Sequence, residues 1–146
     1  MIALIQRVSS ASVETNKQRI AEIGPGLLAL IGVEKTDDSR NADKLLQRIL
    51  RYRVFPDEAG RMNRSLQDTS GGLLLVPQFT LVADTRTGTR PGFSSGADPK
   101  TGQALFEYLL RQAHLLAPGP VAGGRFGAHM RVALVNDGPV TFWLQH

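Results

Sequence analysis

The chain contains no cysteine. That removes disulfides, thiolate nucleophiles, Cys-ligated zinc and iron–sulfur clusters. It has three histidines, His114, His129 and His146, and no two stand at a metal-ligand spacing such as H-x-x-x-H. No stretch approaches the ~20 apolar residues that a membrane-spanning helix needs. The N-terminal run MIALI is broken at once by Gln6 and Arg7, too early for a signal peptide, so a cytoplasmic location is the default. There is no G-x-G-x-x-G after a strand pattern and no G-x-x-x-x-G-K-[ST], which excludes the common glycine-rich phosphate loops. The G-x-S-x-G turn of many serine hydrolases is also missing. Counting alone leaves a dispersed Ser-His-Asp triad open. Internal repeats and low-complexity tracts are absent as well.

What remains is ordinary in bulk. The 146 residues suit a single domain, 1–146, and 42% hydrophobic with 21% charged residues is a soluble globular composition. A chain of this length buries roughly 68–70% of its unfolded surface, enough for a core without covalent staples. The net charge is +4, carried by 13 arginines against four lysines. Arginine forks match phosphates and stack on bases, so the bias fits an anionic partner such as RNA. A solvated arginine-rich surface fits it equally, and at +4 any electrostatic footprint must be local.

Strand-like patterns occupy residues 2–8, 19–23 and 27–33, with Gly24-Pro25-Gly26 as a turn between the last two. Residues 72–83 form a long apolar stretch interrupted by Pro77, and 131–136 and 140–144 flank Asp137-Gly138-Pro139, which reads locally as a hairpin turn. Two helices are expected. Residues 38–52 place Ala42, Leu45, Leu46 and Ile49 on one face. Asp98-Pro99 is an N-cap followed by proline at the first helical position, opening a helix to about Leu115. Two helices against six or more strands argue for a mixed sheet or barrel and against a doubly wound sheet.

Three segments have room for chemistry. The loop DTRTGTRPGFSSGA at 84–97 lacks periodicity, and its Arg86 and Arg90 amid Gly, Ser and Thr suit contact with phosphates and ribose hydroxyls. In Pro77-Gln78-Phe79-Thr80-Leu81, an extended backbone places Gln78 and Thr80 on one face. Pro77 cannot donate to a sheet ladder, so the pairing must be disturbed there. The third segment is Asn136-Asp137-Gly138-Pro139-Val140-Thr141, where local pattern does not fix the proline isomer.

Gln6-Arg7-Val8, Q-F-T-L at 78–81, R-P-x-F at 90–93, F-G-A-x-M at 126–130 and N-x-G-P-V-T at 136–141 occur in that order. Together they resemble the D-aminoacyl-tRNA deacylases along the whole chain. The resemblance implies a cytoplasmic homodimer of mixed α/β (α+β) architecture, with a curved, mostly antiparallel, barrel-like sheet and two main helices packed outside, that hydrolyses the ester joining a D-amino acid, or glycine (including glycine mischarged on alanine tRNA), to the 3′-terminal adenosine of tRNA. No metal or organic cofactor is implied, and neither a membrane nor DNA is an expected partner.

Carried onto this sequence, Gly138-Pro139 would be a cross-subunit Gly-cisPro motif. Its carbonyl oxygens would leave no space for an L side chain, and Arg7 would brace it. Gln78, Phe79 and Thr80 would line the reaction centre, with backbone N–H groups holding the oxyanion and the substrate's 2′-hydroxyl helping to activate water. Phe126 and Met130 would wall the pocket. Position 77 is proline where the family usually has serine, so a hydroxyl there is unavailable. Two other readings stand beside this one: a non-catalytic RNA-binding protein on the same scaffold, and an esterase with Thr80 as a covalent nucleophile. The second is disfavoured because no base accompanies Thr80 locally.

Overall fold

In the computed structural model, which describes residues Met1–His146, the first strand organises the rest. β1 runs Ile2–Thr15, β2 Gln18–Ile23 and β3 Gly26–Gly32, and both later strands pair antiparallel to one edge of β1. The strand pattern at 2–8 thus extends to Thr15. Ser9 and Ser10 are exposed, but burial resumes at Ala11, Val13 and Thr15, so the apolar alternation continues past them. The chain then forms α1 (Ser39–Arg51), a small ribbon of β4 (Phe55–Pro56) and β5 (Met62–Arg64), and a single turn, α2 (Leu66–Thr69). β6 (Gly72–Pro77), α3 (Pro99–Leu116), β7 (Val121–Gly123) and β8 (Arg131–Gln145) complete it.

β3, β6 and β7 are mutually parallel, whereas β8 lies antiparallel along the other edge of β1 for nearly its whole length. β2 comes round against β6 and β7, so the six-stranded sheet curls nearly into a barrel. The parallel pair β3–β6 needs glycine at its start. A Cβ on Gly26 would lie 1.9 Å from the Gly72 carbonyl oxygen.

The helices begin where their caps predict. Asp38 accepts from the amides of Arg40 and Asn41, and Asp98 from those of Lys100 and Thr101. α1 buries Ala42, Leu45, Leu46, Ile49 and Leu50; α3 buries Phe106, Leu109 and Ala113. Both pack on one side of the sheet, over Leu27, Ala29, Ile31, Leu73 and Leu75. The alternate residues Leu28, Leu74 and Val76 fill the inside of the curl with Val8, Ala11 and Val13. β3 and β6 are therefore buried on both faces, which is why they read as unbroken apolar runs.

Candidate functional site

Two expectations about the site segments are corrected by the backbone. The apolar stretch 72–83 is not one strand: β6 ends at Pro77, and Phe79–Val82 forms a 3-10 turn. Gln78 still donates its amide to the Ile31 carbonyl at 2.7 Å, but Pro77 has no N–H with which to continue a ladder, and the chain coils. Gln78 and Thr80 are consequently not alternate residues on a strand face. They meet through the turn, where Gln78 Nε2 donates to Thr80 Oγ1.

The second correction concerns residues 136–141. They do not form a hairpin, because the segments before and after them both pair with β1. Gln6 opposes Thr141 and Val8 opposes Asn136, so Arg7 alone faces the bulge Asp137-Gly138-Pro139-Val140. The Gly138-Pro139 bond is cis.

Side chains fasten this bulge at its base and from behind. Asn136 Oδ1 accepts from the Val140 amide at 2.8 Å, and its Nδ2 donates to Thr141 Oγ1 at 2.8 Å. Arg7, with only 14% of its side chain exposed, donates from Nε to the Asp137 carbonyl at 2.9 Å. Its Nη1 donates to the Val54 carbonyl at 2.7 Å. Gly138 has φ +144°, and a Cβ there would meet Val140 Cγ2 at 2.6 Å and Arg7 Nη2 at 3.3 Å. Glycine is the residue that fits.

Pro77, Phe79, Phe126 and Met130 come together around a cavity of about 450 Å³. Its other walls are the end of β3 at Ile31 and Val33 and the first turns of α3 from Pro99 to Phe106. Phe79 is 51% exposed, and its ring meets Phe93 with centroids 4.5 Å apart. Gly102 lets Phe126 close in, since a Cβ there would already lie 3.3 Å from the ring. The Arg125 amide donates to Met130 Sδ at 3.3 Å and fixes the far wall.

Phe79 lines the cavity, whereas Gln78 and Thr80 do not, and the amides of Phe79 and Thr80 open the turn, so its own hydrogen bonds leave them unused. The Thr80 hydroxyl already accepts from Gln78, and no imidazole, amine or carboxylate hydrogen-bonds to it. The geometry offers two backbone donors beside an apolar cavity, a setting suited to a developing oxyanion.

Neither Arg7 nor Gly138-Pro139 lines that cavity within one chain. In the loop at 84–97, Arg86 forms a bidentate pair with Asp84, at 2.9 Å and 2.7 Å. That guanidinium, helped by the Arg86 amide, holds the Asp84 carboxyl well below the usual carboxylate range. Arg86 is thus occupied, whereas Arg90 is exposed and unpaired. His129 lies two residues before β8.

Several contributors left no readable local signal. Ile31, Ala97 and Phe106 look like plain core, and Asp98-Pro99 announces a helix start without saying what the start faces. Asn136 and Thr141 stand inside the motif at 136–141, and their clamp follows only from the bulge.

The model of the D-Tyr-tRNA(Tyr) deacylase family matches residues 4–145 of the chain. D-aminoacyl-tRNA deacylases of Thioalkalivibrio sulfidiphilus and Azotobacter vinelandii are each 61% identical over 145 residues. The alignments span 99% of this chain and 97% and 99% of those relatives. Among solved structures, the c-Myc DNA Unwinding Element Binding Protein superposes with a TM-score of 0.95 at 34% identity, covering 100% of this chain and 99% of that one. A probable eukaryotic D-amino acid tRNA deacylase, at 14% identity and TM-score 0.86 over 99% of this chain and 98% of that one, shares the fold.

Proposed function

The chain belongs to the D-Tyr-tRNA(Tyr) deacylase family, and from that premise we propose how its residues perform the reaction. The protein is a D-aminoacyl-tRNA deacylase, a hydrolase acting on the ester that joins a D-amino acid to tRNA. Glycine, which has no side chain to exclude, is a further substrate in this reading, including glycine mischarged on alanine tRNA.

The observation that carries the mechanism is the turn at Phe79–Val82, whose own bonds leave the first two amides unused and whose Phe79 lines the apolar cavity. The aminoacyl-adenosine end enters with its ester carbonyl toward those amides. Water adds to the carbonyl carbon, and the developing oxyanion takes the two N–H bonds. The ester C–O bond then breaks, returning a proton to the departing ribose oxygen and leaving free amino acid and tRNA. The neighbouring 2′-hydroxyl of the substrate assists the water, so no side-chain base is required of the protein. Thr80, held by Gln78, positions the turn and is not acylated.

Chirality is assigned to Gly138-Pro139 of a second subunit, whose carbonyls fill the space an L side chain needs. Two features support a homodimer. The outer edge of β8 is unpaired, and exposed Val135 and Trp143 stand on that strand. A long unpaired edge is a ready surface for association. The braced bulge also contributes no residue to the cavity of its own chain, as a motif serving a partner would. A cytoplasmic location accompanies this reading.

The test is release of D-tyrosine from D-Tyr-tRNA by the purified protein, with L-Tyr-tRNA spared. A rate equal to the protein-free control makes the non-catalytic RNA-binding reading the correct one. Comparable cleavage of L-Tyr-tRNA removes the selectivity role of Gly138-Pro139.

A further inference from the structure

Beside the cavity lies a second depression, of about 620 Å³, with a different character. Its walls carry Lys17 at the tip of the β1–β2 hairpin, Arg125 and His129 in the loop before β8, and Arg131 at the start of β8. Glu14 is the single carboxylate among its lining residues, and none of Lys17, Arg125 or Arg131 is in an ion pair. Three unpaired cations therefore face one groove, although the whole chain carries only +4. Ala128 lines both this groove and the cavity, so the two are continuous through the 125–131 segment.

The hairpin adds an independent observation. Thr15 pairs with Gln18, so Asn16 and Lys17 are the whole two-residue turn, with φ of +50° and +61°. Such a turn favours asparagine followed by glycine. Lysine at the second position keeps a cation at the rim of the groove against the local backbone preference. A broken local rule of this kind is expected where a side chain serves binding.

The competing basic surface does not share these properties. Lys44, Arg48 and Arg51 of α1 line a depression with no residue in common with the cavity, and Arg48 already donates to the Gln145 carbonyl at 3.0 Å.

We propose that the groove of Lys17, Arg125 and Arg131 holds backbone phosphates of the single-stranded 3′ end of tRNA, whose terminal nucleotide occupies the adjoining cavity. The inference rests on the deacylase reading, extending it from the ester to the strand that carries it. Phosphate contacts of this kind set position and affinity and read no sequence. The groove therefore serves every tRNA alike.

The test compares wild type with Lys17→Gly, Arg131→Gln and the double variant on three ligands: D-Tyr-tRNA, uncharged tRNA and 3′-O-D-tyrosyl-adenosine, which lacks phosphate. Each single variant is expected to raise KM for D-Tyr-tRNA roughly threefold to fivefold, as exposed charge pairs do. kcat and turnover of the phosphate-free ester stay at the wild-type level. The slope of log affinity for uncharged tRNA against log salt falls by about 0.7 for each cation removed. Lys17→Gly melts at the same or a higher temperature, since glycine suits the turn, which separates lost binding from lost folding.

An unchanged KM and salt slope in the double variant overturns the proposal. So does an equal loss on the phosphate-free ester, because the cavity itself would then have changed. Wild type inactive on both esters overturns the deacylase reading instead, and binding of uncharged tRNA still decides on the groove.

Discussion

Gly138 shows how much one residue's backbone can fix. Its φ of +144° and the 2.6 Å approach of Val140 Cγ2 leave no room for a Cβ. Gly138→Ala should cost roughly 1–3 kcal/mol of stability in denaturant unfolding, the usual range for a residue forced into such a conformation. Hydrolysis of L-Tyr-tRNA should rise as the bulge shifts, while D-Tyr-tRNA remains a substrate. Discrimination unchanged by the substitution would detach the bulge from selectivity. Thr80 is the opposite case. Its hydroxyl accepts from Gln78 and has no base, so Thr80→Val should keep kcat within about tenfold of wild type, far less than the loss expected for a nucleophile. A trapped acyl-Thr80 species would refute that assignment. Neither residue's role was legible from type alone. Gln78 and Thr80 were expected on a strand, and only the coil after Pro77 joins them.

Elements were more readable than sites, because their signals are local. Both helices start at the aspartates that the sequence marks, and the helical faces bury the residues that 3.6-residue periodicity selects. These caps also titrate. In Asp38 the Arg40 side chain, and in Asp98 the bond with Thr101, hold the carboxyl below its ordinary value of 3.8. A carboxyl with a depressed folded value contributes stability above pH 3.8, and that contribution is lost as pH falls through the folded value. Melting temperature should therefore hold from neutral pH to about 5 and fall below 3.8, and less steeply in Asp38→Asn/Asp98→Asn. Equal slopes in variant and wild type would contradict this. Phe106 couples an element to the site, being 2% exposed and also part of the cavity wall. Phe106→Ala should cost about 3–5 kcal/mol in unfolding experiments and raise KM. The strands were less well bounded. β1 outran its apolar run because β8 supplied a partner for the serine-containing half.

At the scale of the molecule, the separation between the cavity and the Gly138-Pro139 bulge gives a direct test of the two-subunit site. Dimers mixing a Gly138→Ala protomer with a Phe79→Pro protomer, which lacks one of the two N–H donors, contain one site with both intact contributions. Such a mixture should recover D-selective hydrolysis that neither parent dimer shows. Activity equal to the average of the parents would argue that each chain works alone. The free edge of β8 is where association is expected, and dilution to the monomer should abolish selectivity.

By itself, the sequence determined the features that act over a few residues: helix caps and faces, glycine turns, the break at Pro77 and the cysteine-free chemistry. It also determined family membership through the order of short motifs. Tertiary structure alone decided that residues 131–145 form one strand instead of a hairpin, because their partner, β1, lies more than 100 residues away. It decided equally that Arg7 braces a carbonyl 130 positions later, and that one loop, 125–131, borders both an apolar cavity and a basic groove. Contacts so distant leave no periodicity and no spacing in the chain. They exist only once burial of the two faces of the sheet has fixed which strands are neighbours.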